Sequence, residues 1–331
     1  MCLALKEVTN LIQVLCPSSS TDLKVPMTYL SLNGNYPDNP FMWDYLAAYR
    51  VCRDADIALF EGAPYSITVR ALKNAKIIVH IAAHNLEKSV EEFHRLGMEY
   101  PFRHMTDPFL WSLYSDFIKR ADLIITPSQM GANYIKRNPG VSCPIEVIPY
   151  GADTPKEVKP VPEEFKVGYL GAVGPDKGVI YLLKAWAGLM YKDARLLIAG
   201  SNQLPFEELL YRTNYTKLGY VENISDFYNS CSVYVQPSVT EGFGIPCLEA
   251  MAQARPVIVS EGAGVSELVE DGVEGFVVPV RDAGAIADRI DWFKRNPSKV
   301  EEMGQKARLK AEQYPWSKAR ELYERTIQSL S

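Results

Sequence analysis

Glu241-Gly242-Phe243-Gly244-Ile245-Pro246-Cys247-Leu248-Glu249-Ala250-Met251-Ala252 is the stretch from which the fold is read. A β-branched run, Val233 to Gln236, leads to a turn with two glycines, and the turn leads into helical apolar spacing. Gly242 and Gly244 let backbone approach a ligand closely. The amides that open the following helix favour an anion, helped by the helix dipole. Glu241 falls in the turn. Glu249 lies eight residues on, about two helical turns inside, where a carboxylate can accept two hydroxyls of a ribose. A glycine turn with a solvated glutamate would not place two carboxylates around that turn at the end of a buried strand.

Outward from this stretch, two blocks repeat one grammar of short β-branched runs and longer amphipathic runs, the pattern of parallel α/β domains. The first block offers strands at 11–15, 56–60, 76–80, 122–126 and 145–149. The second offers them at 166–170, 195–199, 232–235, 256–259 and 275–278. Runs apolar on both faces suit strands buried between two helix layers. Between the blocks, Thr154 to Glu164 holds three prolines and five charges, which reads as a stiff, solvated linker. The expected domains are 1–153, a linker at 154–165, and 166–313. A last helix, opened by Trp316 after Tyr314-Pro315, makes up 314–331 and is expected to return to the N-terminal domain. The first glycine is Gly34, so the usual opening strand and glycine turn of a nucleotide-binding domain are expected to be missing.

Composition narrows the function classes. The chain has 331 residues and a net charge of −5, with 47% apolar and 23% charged residues, as in a globular protein. Before residue 155 there are 14 Lys+Arg against 16 Asp+Glu, and after it 21 against 24, so neither half is basic. Nucleic acid is disfavoured as a partner, because phosphate binding needs clustered cations. No apolar run reaches the length of a spanning helix, and the start lacks the pattern of a signal peptide. The six cysteines are scattered without a C-x-x-C pair; Cys16, Cys231 and Cys247 read as small core residues. A reduced, cytoplasmic protein is expected, with peripheral membrane contact as a further option.

Glu241 to Glu249 around Gly-Phe-Gly-x-Pro resembles the signature of the retaining family 4 glycosyltransferases. Other motifs follow in that family's order: Ala121 to Ser128; Ile148-Pro149-Tyr150-Gly151-Ala152-Asp153; Tyr169-Leu170-Gly171 through Pro175-Asp176-Lys177-Gly178; Leu196 to Gly200; and Gly262 to Val269. The likeness covers nearly all of the chain after about residue 75. It implies a GT-B fold, α/β, with two facing Rossmann-like domains and a cleft between them. It also implies a nucleoside-diphosphate sugar as donor substrate and an unidentified acceptor (glycan, lipid or small molecule). Glu249 would hold the ribose, and Glu241 would contact the donor sugar, with Phe243 and Gly244 amides beside it. Gly171, Gly242 and Ile245 complete the donor turns, and backbone near Tyr220 and Val221 would meet the base. Lys177 would pair with the diphosphate and stabilise the leaving group. His84, after the strand at 76–81, would stand at the active-site rim of the first domain.

One residue departs from the family pattern. Members commonly carry arginine after the glycine aligned with Gly171, where this chain has Ala172, so one charge-assisted contact of about 1.5–3 kcal/mol is supplied elsewhere or is absent. No metal site or resident cofactor is expected. His80 and His84 would sit about 13 Å apart along a strand, too far to share an ion, and Asp54-Ala55-Asp56 precedes a strand rather than following one. The stripe Phe109, Leu110, Leu113, Phe117 reads as core. Two alternatives remain open. One is a catalytically weak nucleotide-sugar-binding subunit, suggested by Ala172 and the absent opening turn. The other is a nucleotide-sugar epimerase on the same fold.

Overall fold

The structure, a computed structural model, describes residues 12–15, 57–61, 76–83, 85–99, 118–201 and 213–330. The chain divides into two compact units. One comprises Met1–Ala83, Pro101–Ile148 and Ala319–Ser331, and the other His84–Tyr100 and Pro149–Lys318. This division breaks after Ile148, where the sequence reading sets the first boundary after residue 153. The stretch 84–100 belongs with the second unit, although it is flanked in the chain by parts of the first.

The first unit holds a parallel sheet of five strands, β1 (Ile12–Leu15), β2 (Ile57–Glu61), β3 (Lys76–His80), β4 (Leu123–Thr126) and β5 (Ile145–Val147). Their spatial order is the chain order, with no reversal among the described residues. The expected loss of an opening strand and glycine turn concerns residues 1–11 and 16–56, which lie outside the described residues, as does the stripe 109–117. Cys16 and Asp54-Ala55-Asp56 fall within these stretches. Apolar β3 and β4 are buried on both faces after Lys76, as runs without alternation require. Helix α1 (Leu86–Arg95) belongs to the second unit. Helix α2 (Gln129–Ile135) starts at Ser128, whose hydroxyl accepts from the Gly131 amide at 3.0 Å.

The second unit holds six parallel strands: β6 (Phe165–Leu170), β7 (Ala194–Ala199), β8 (Tyr215–Gly219), β9 (Val233–Gln236), β10 (Val257–Ser260) and β11 (Gly275–Val278). The order is β11-β10-β9-β6-β7-β8, so the chain reverses direction across the sheet between β6 and β9. Period-two alternation sends Val167, Leu196, Ile198, Val233, Val235 and Ile258 to one face, under α3 (Val179–Leu189) and α6 (Ala283–Arg295). Leu197, Tyr234, Val257 and Val259 go to the other, with Phe227 and Tyr228 of α4 (Ile224–Asn229), α5 (Ile245–Ala252) and α7 (Pro297–Ala311). Each fully buried aliphatic contributes about 1.5–3 kcal/mol. Cys231 and Cys247 are fully buried among these side chains, as expected. The last helix, α8 (Trp316–Gln328), begins where the sequence places it.

β8 has no counterpart among the strands read from the sequence. Its run Tyr215-Thr216-Lys217-Leu218-Gly219 is polar and half-exposed because it forms a sheet edge, where burial imposes no apolar pattern. The linker also differs from a free spacer. Arg255, almost wholly buried, donates to the Lys159 carbonyl at 2.8 Å and to the Tyr228 carbonyl at 3.1 Å, and Arg308 donates to the Pro155 carbonyl at 2.6 Å.

Candidate functional site

In an open α/β sheet, ligands bind outside the carboxyl ends of strands where the order reverses. In the second unit that point lies between β6 and β9, and the two turns singled out in the sequence leave these strands. The turn after β6 carries Gly171 to Gly178. The turn after β9 carries Glu241 to Gly244.

Backbone bonds join the two turns. The Asp176 carbonyl accepts from the amides of Val239, at 2.9 Å, and Thr240, at 3.3 Å. Gly178 has φ +64, and a Cβ there would run into the Pro237 carbonyl, so only glycine lets the turn close. The result is a direct ion pair: Lys177 Nζ lies 2.5 Å from Glu241 Oε2 and 3.9 Å from Asp176 Oδ2. Burial pulls the Lys177 pKa down, but the Glu241 and Asp176 carboxylates outweigh it and hold the ammonium above its ordinary value. Lys177 and Glu241 are partly buried, at 28% and 22% side-chain exposure, so both remain reachable by a ligand.

The glycine turn is braced from a third loop. Glu241 donates its amide to the Gly262 carbonyl at 2.9 Å, its carbonyl accepts from the Gly264 amide at 3.1 Å, and the Phe243 carbonyl accepts from Val265 at 2.7 Å. Gly244 takes φ +103 and caps α5, with Pro246 in the first turn. Gly242 and Phe243 are buried, and the Phe243 ring meets Tyr150 edge-on at 5.4 Å. Ile245 is half-buried at the head of α5. Below the turn, Tyr234 donates to Gln236 Oε1 at 2.9 Å, and Gln236 Nε2 donates to Ser238 at 2.8 Å, fixing the end of β9.

Glu249 projects from α5 and accepts from the Tyr228 hydroxyl at 2.7 Å. Burial raises its pKa, the Tyr228 bond opposes the rise, and Asp153 adds to it. Farther along the same edge, the Gly171 amide donates to Ala199 at 3.0 Å, and the Gly200 amide donates to Gly219 at 2.6 Å. These bonds set the ends of β6, β7 and β8 side by side. Tyr220 follows Gly219 and is 87% exposed, while Val221 packs on the core beneath. At Ala172, where the family resemblance leads one to expect arginine, the carbonyl accepts from the buried Tyr169 hydroxyl at 2.7 Å.

The structure thus brings Lys177 and Glu241 into contact and sets Gly171, Tyr220, Val221, Gly242, Phe243, Gly244, Ile245 and Glu249 along one sheet edge. His84 lies outside the described residues. Its neighbour Asn85 donates its amide to Thr240 Oγ1 at 2.8 Å, one residue before Glu241. Asp176, Tyr228 and Thr240 join the site without having been singled out in the sequence; Tyr228 carries no local signal, since its role depends on α4 lying beside α5. Among the described residues no group of three or more His, Cys, Asp or Glu could hold a metal ion, and no helix is long and apolar enough to cross a membrane.

Comparison with known proteins points to glycosyltransferases. Residues 152–310 match the model of the glycosyl transferases group 1, and residues 10–156 that of glycosyltransferase family 4. The chain is 30% identical over 175 residues to the capsular polysaccharide biosynthesis glycosyltransferase CapM of Staphylococcus aureus, covering 49% of this chain and 46% of that one. It is 35% identical over 144 residues to the uncharacterized glycosyltransferase MJ1607 of Methanocaldococcus jannaschii, covering 39% and 37%. The matches span less than half the length of these relatives. In fold it is similar to the sucrose-phosphate synthase of Thermosynechococcus elongatus, with TM-score 0.74, 20% identity and coverage of 96% and 88%. It is also similar to Anabaena HepE, solved with UDP and glucose, with TM-score 0.73, 17% identity and coverage of 96% and 99%. Two parallel α/β units of GT-B type, with one family model following the other along the chain, make this protein similar to the glycosyl transferases group 1 over residues 152–310 and to glycosyltransferase family 4 over residues 10–156.

Proposed function

We propose that this protein is a retaining glycosyltransferase that moves a sugar from a nucleoside-diphosphate sugar to an acceptor hydroxyl. The observation that carries the proposal is the Lys177–Glu241 pair at the reversal point of the second sheet, with Glu249 in the helix after it. In this reading Glu249 grips the ribose, backbone near Tyr220 and Val221 meets the base, and the turns at 171 and 242–245 receive the diphosphate. Lys177 shares its charge between Glu241 and the diphosphate, and Glu241 faces the sugar. His84 contributes at the acceptor side, and the first unit binds the acceptor.

The acceptor oxygen bonds to the anomeric carbon as the carbon–phosphate oxygen bond breaks. The leaving diphosphate carries the electron pair and takes the acceptor's proton on the same face. Lys177 stabilises the charge that develops there, so no resident cofactor or metal is needed. A fixed cation aimed at developing charge is worth on the order of 10²–10³ in kcat.

The test is a thermal-shift screen against UDP, GDP and ADP sugars, followed by transfer assays on Lys177→Ala and Glu241→Ala. Both variants should lose at least about 10²-fold in rate; undiminished transfer by both would end the assignment. A second reading, a weakly active nucleotide-sugar-binding subunit, is favoured by Ala172, since the turn 171–178 offers Lys177 as its single cation. Donor binding without turnover across an acceptor panel would select it. An epimerase would instead give a changed sugar nucleotide without any acceptor.

A further inference from the structure

We propose that Glu92, with Tyr181 and Arg281, is a positioning group that holds the start of α1 against Thr240 and thereby orders the sugar end of the site at Glu241. The inference rests on the donor-site reading and adds residues that play no part in it.

The chain leaves the first unit after Ala83, and residues 84–100 pack with the second. Apolar contact supplies the docking: Leu96 and Met98 lie on the core cluster that contains Tyr181 and Leu182. Such contact is not directional and would let the helix slide or roll. Glu92 removes that freedom. Its carboxylate is fully buried and accepts from the Tyr181 hydroxyl at 2.5 Å and from Arg281 Nε at 2.7 Å, while Arg281 Nη1 lies 3.1 Å from Glu91. A buried ion pair gains little net stability, because desolvation opposes the attraction. Its contribution here is a fixed geometry. Arg281 also holds φ +63, a left-handed conformation that a non-glycine residue keeps only where its surroundings over-determine it.

At the opposite end of α1 the geometry reaches the site. Asn85 caps the helix by accepting from the Lys88 amide at 3.0 Å, and its own amide donates to the buried Thr240 hydroxyl. Thr240 precedes Glu241 and bonds through its amide to Asp176, the residue before Lys177. Glu92 and Asn85 are about 10 Å apart along a rigid helix. Tyr181 stands one turn beyond Lys177 at the head of α3, so the latch grips the helix that follows the catalytic lysine. A shift at Glu92 therefore moves residue 85 relative to the Lys177–Glu241 pair.

The test uses the full chain with Glu92→Gln and Tyr181→Phe, and with the paired variant Glu92→Leu/Arg281→Leu, which keeps the contact apolar. Amide hydrogen exchange, nucleoside diphosphate affinity and turnover are measured with UDP, GDP and ADP and their glucose conjugates. Exchange over 85–99 should quicken by about tenfold while α5 and α6 stay unchanged. The nucleoside diphosphate Kd should stay within about twofold, and kcat should fall by about 10- to 100-fold, the cost of a misplaced group. The paired variant should keep the wild-type melting temperature and still lose kcat. Unchanged exchange over 85–99, or full kcat in the paired variant, overturns the proposal. A wild-type chain that binds none of the nucleotides instead overturns the donor-site reading; quickened exchange in the variants would then sustain the latch as a conformational device and refute its role in transfer.

Discussion

At Glu249, burial raises the carboxyl pKa, the Tyr228 hydroxyl pulls it back, and the Asp153 charge pushes it up again. A carboxyl with a raised folded pKa gives its largest stability below the unfolded value and loses it as pH rises through the folded one. At neutral pH the ionised Glu249 is thus a cost to folding. Glu249→Gln should melt no lower than wild type in calorimetry, yet bind the donor about 1.5–3 kcal/mol more weakly, since a charge-assisted acceptor of two hydroxyls is gone. Donor affinity should also fall on acidification, starting at a higher pH than an ordinary glutamate would give. An affinity flat down to the usual carboxylate range would separate Glu249 from the ribose. The position of Glu249 behind the turn was legible in the letters, because the Glu-x7-Glu spacing around a glycine turn is local. Its partner Tyr228 was not, because 21 residues and a helix crossing separate them.

Among the elements, the turn after β6 depends on Gly178. Alanine there meets both a left-handed φ and the Pro237 carbonyl, so Gly178→Ala should destabilise by about 1–3 kcal/mol in urea unfolding. It should also loosen the Lys177–Glu241 pair, read as a weaker response to donor. A variant as stable as wild type would show that the two turns are not locked. The strands of both sheets were legible wherever both faces are buried, since burial forces continuous apolar runs. β8 was not, because a half-exposed edge accepts Thr216 and Lys217 without penalty.

For the whole molecule, Arg255 and Arg308 decide how the linker behaves. Three prolines and five charges describe a stiff spacer, whereas two arginines tie its carbonyls to the second unit. Arg255→Ala removes charge-assisted hydrogen bonds to the Lys159 and Tyr228 carbonyls, a loss of about 1.5–3 kcal/mol. Trypsin should then cut after Lys156 sooner than in wild type; equal cutting would show that the linker does not need the clamp. In calorimetry, a nucleoside diphosphate at 100 times its Kd should add about 2.7 kcal/mol to the second unit. A shift confined to the first unit would place the nucleotide elsewhere.

The amino-acid sequence by itself determined the α/β grammar, the positions of the glycine turns and the order of the family motifs, because strand periodicity and turn chemistry act over a few residues. Tertiary structure alone decided that Lys177 meets Glu241 across 64 positions, that Tyr228 bonds Glu249, and that 84–100 joins the second unit. These meetings arise from β9 lying beside β6 and from buried polar groups finding partners on other elements. Neither leaves a periodic trace in the chain, because the partner is fixed by packing and not by spacing.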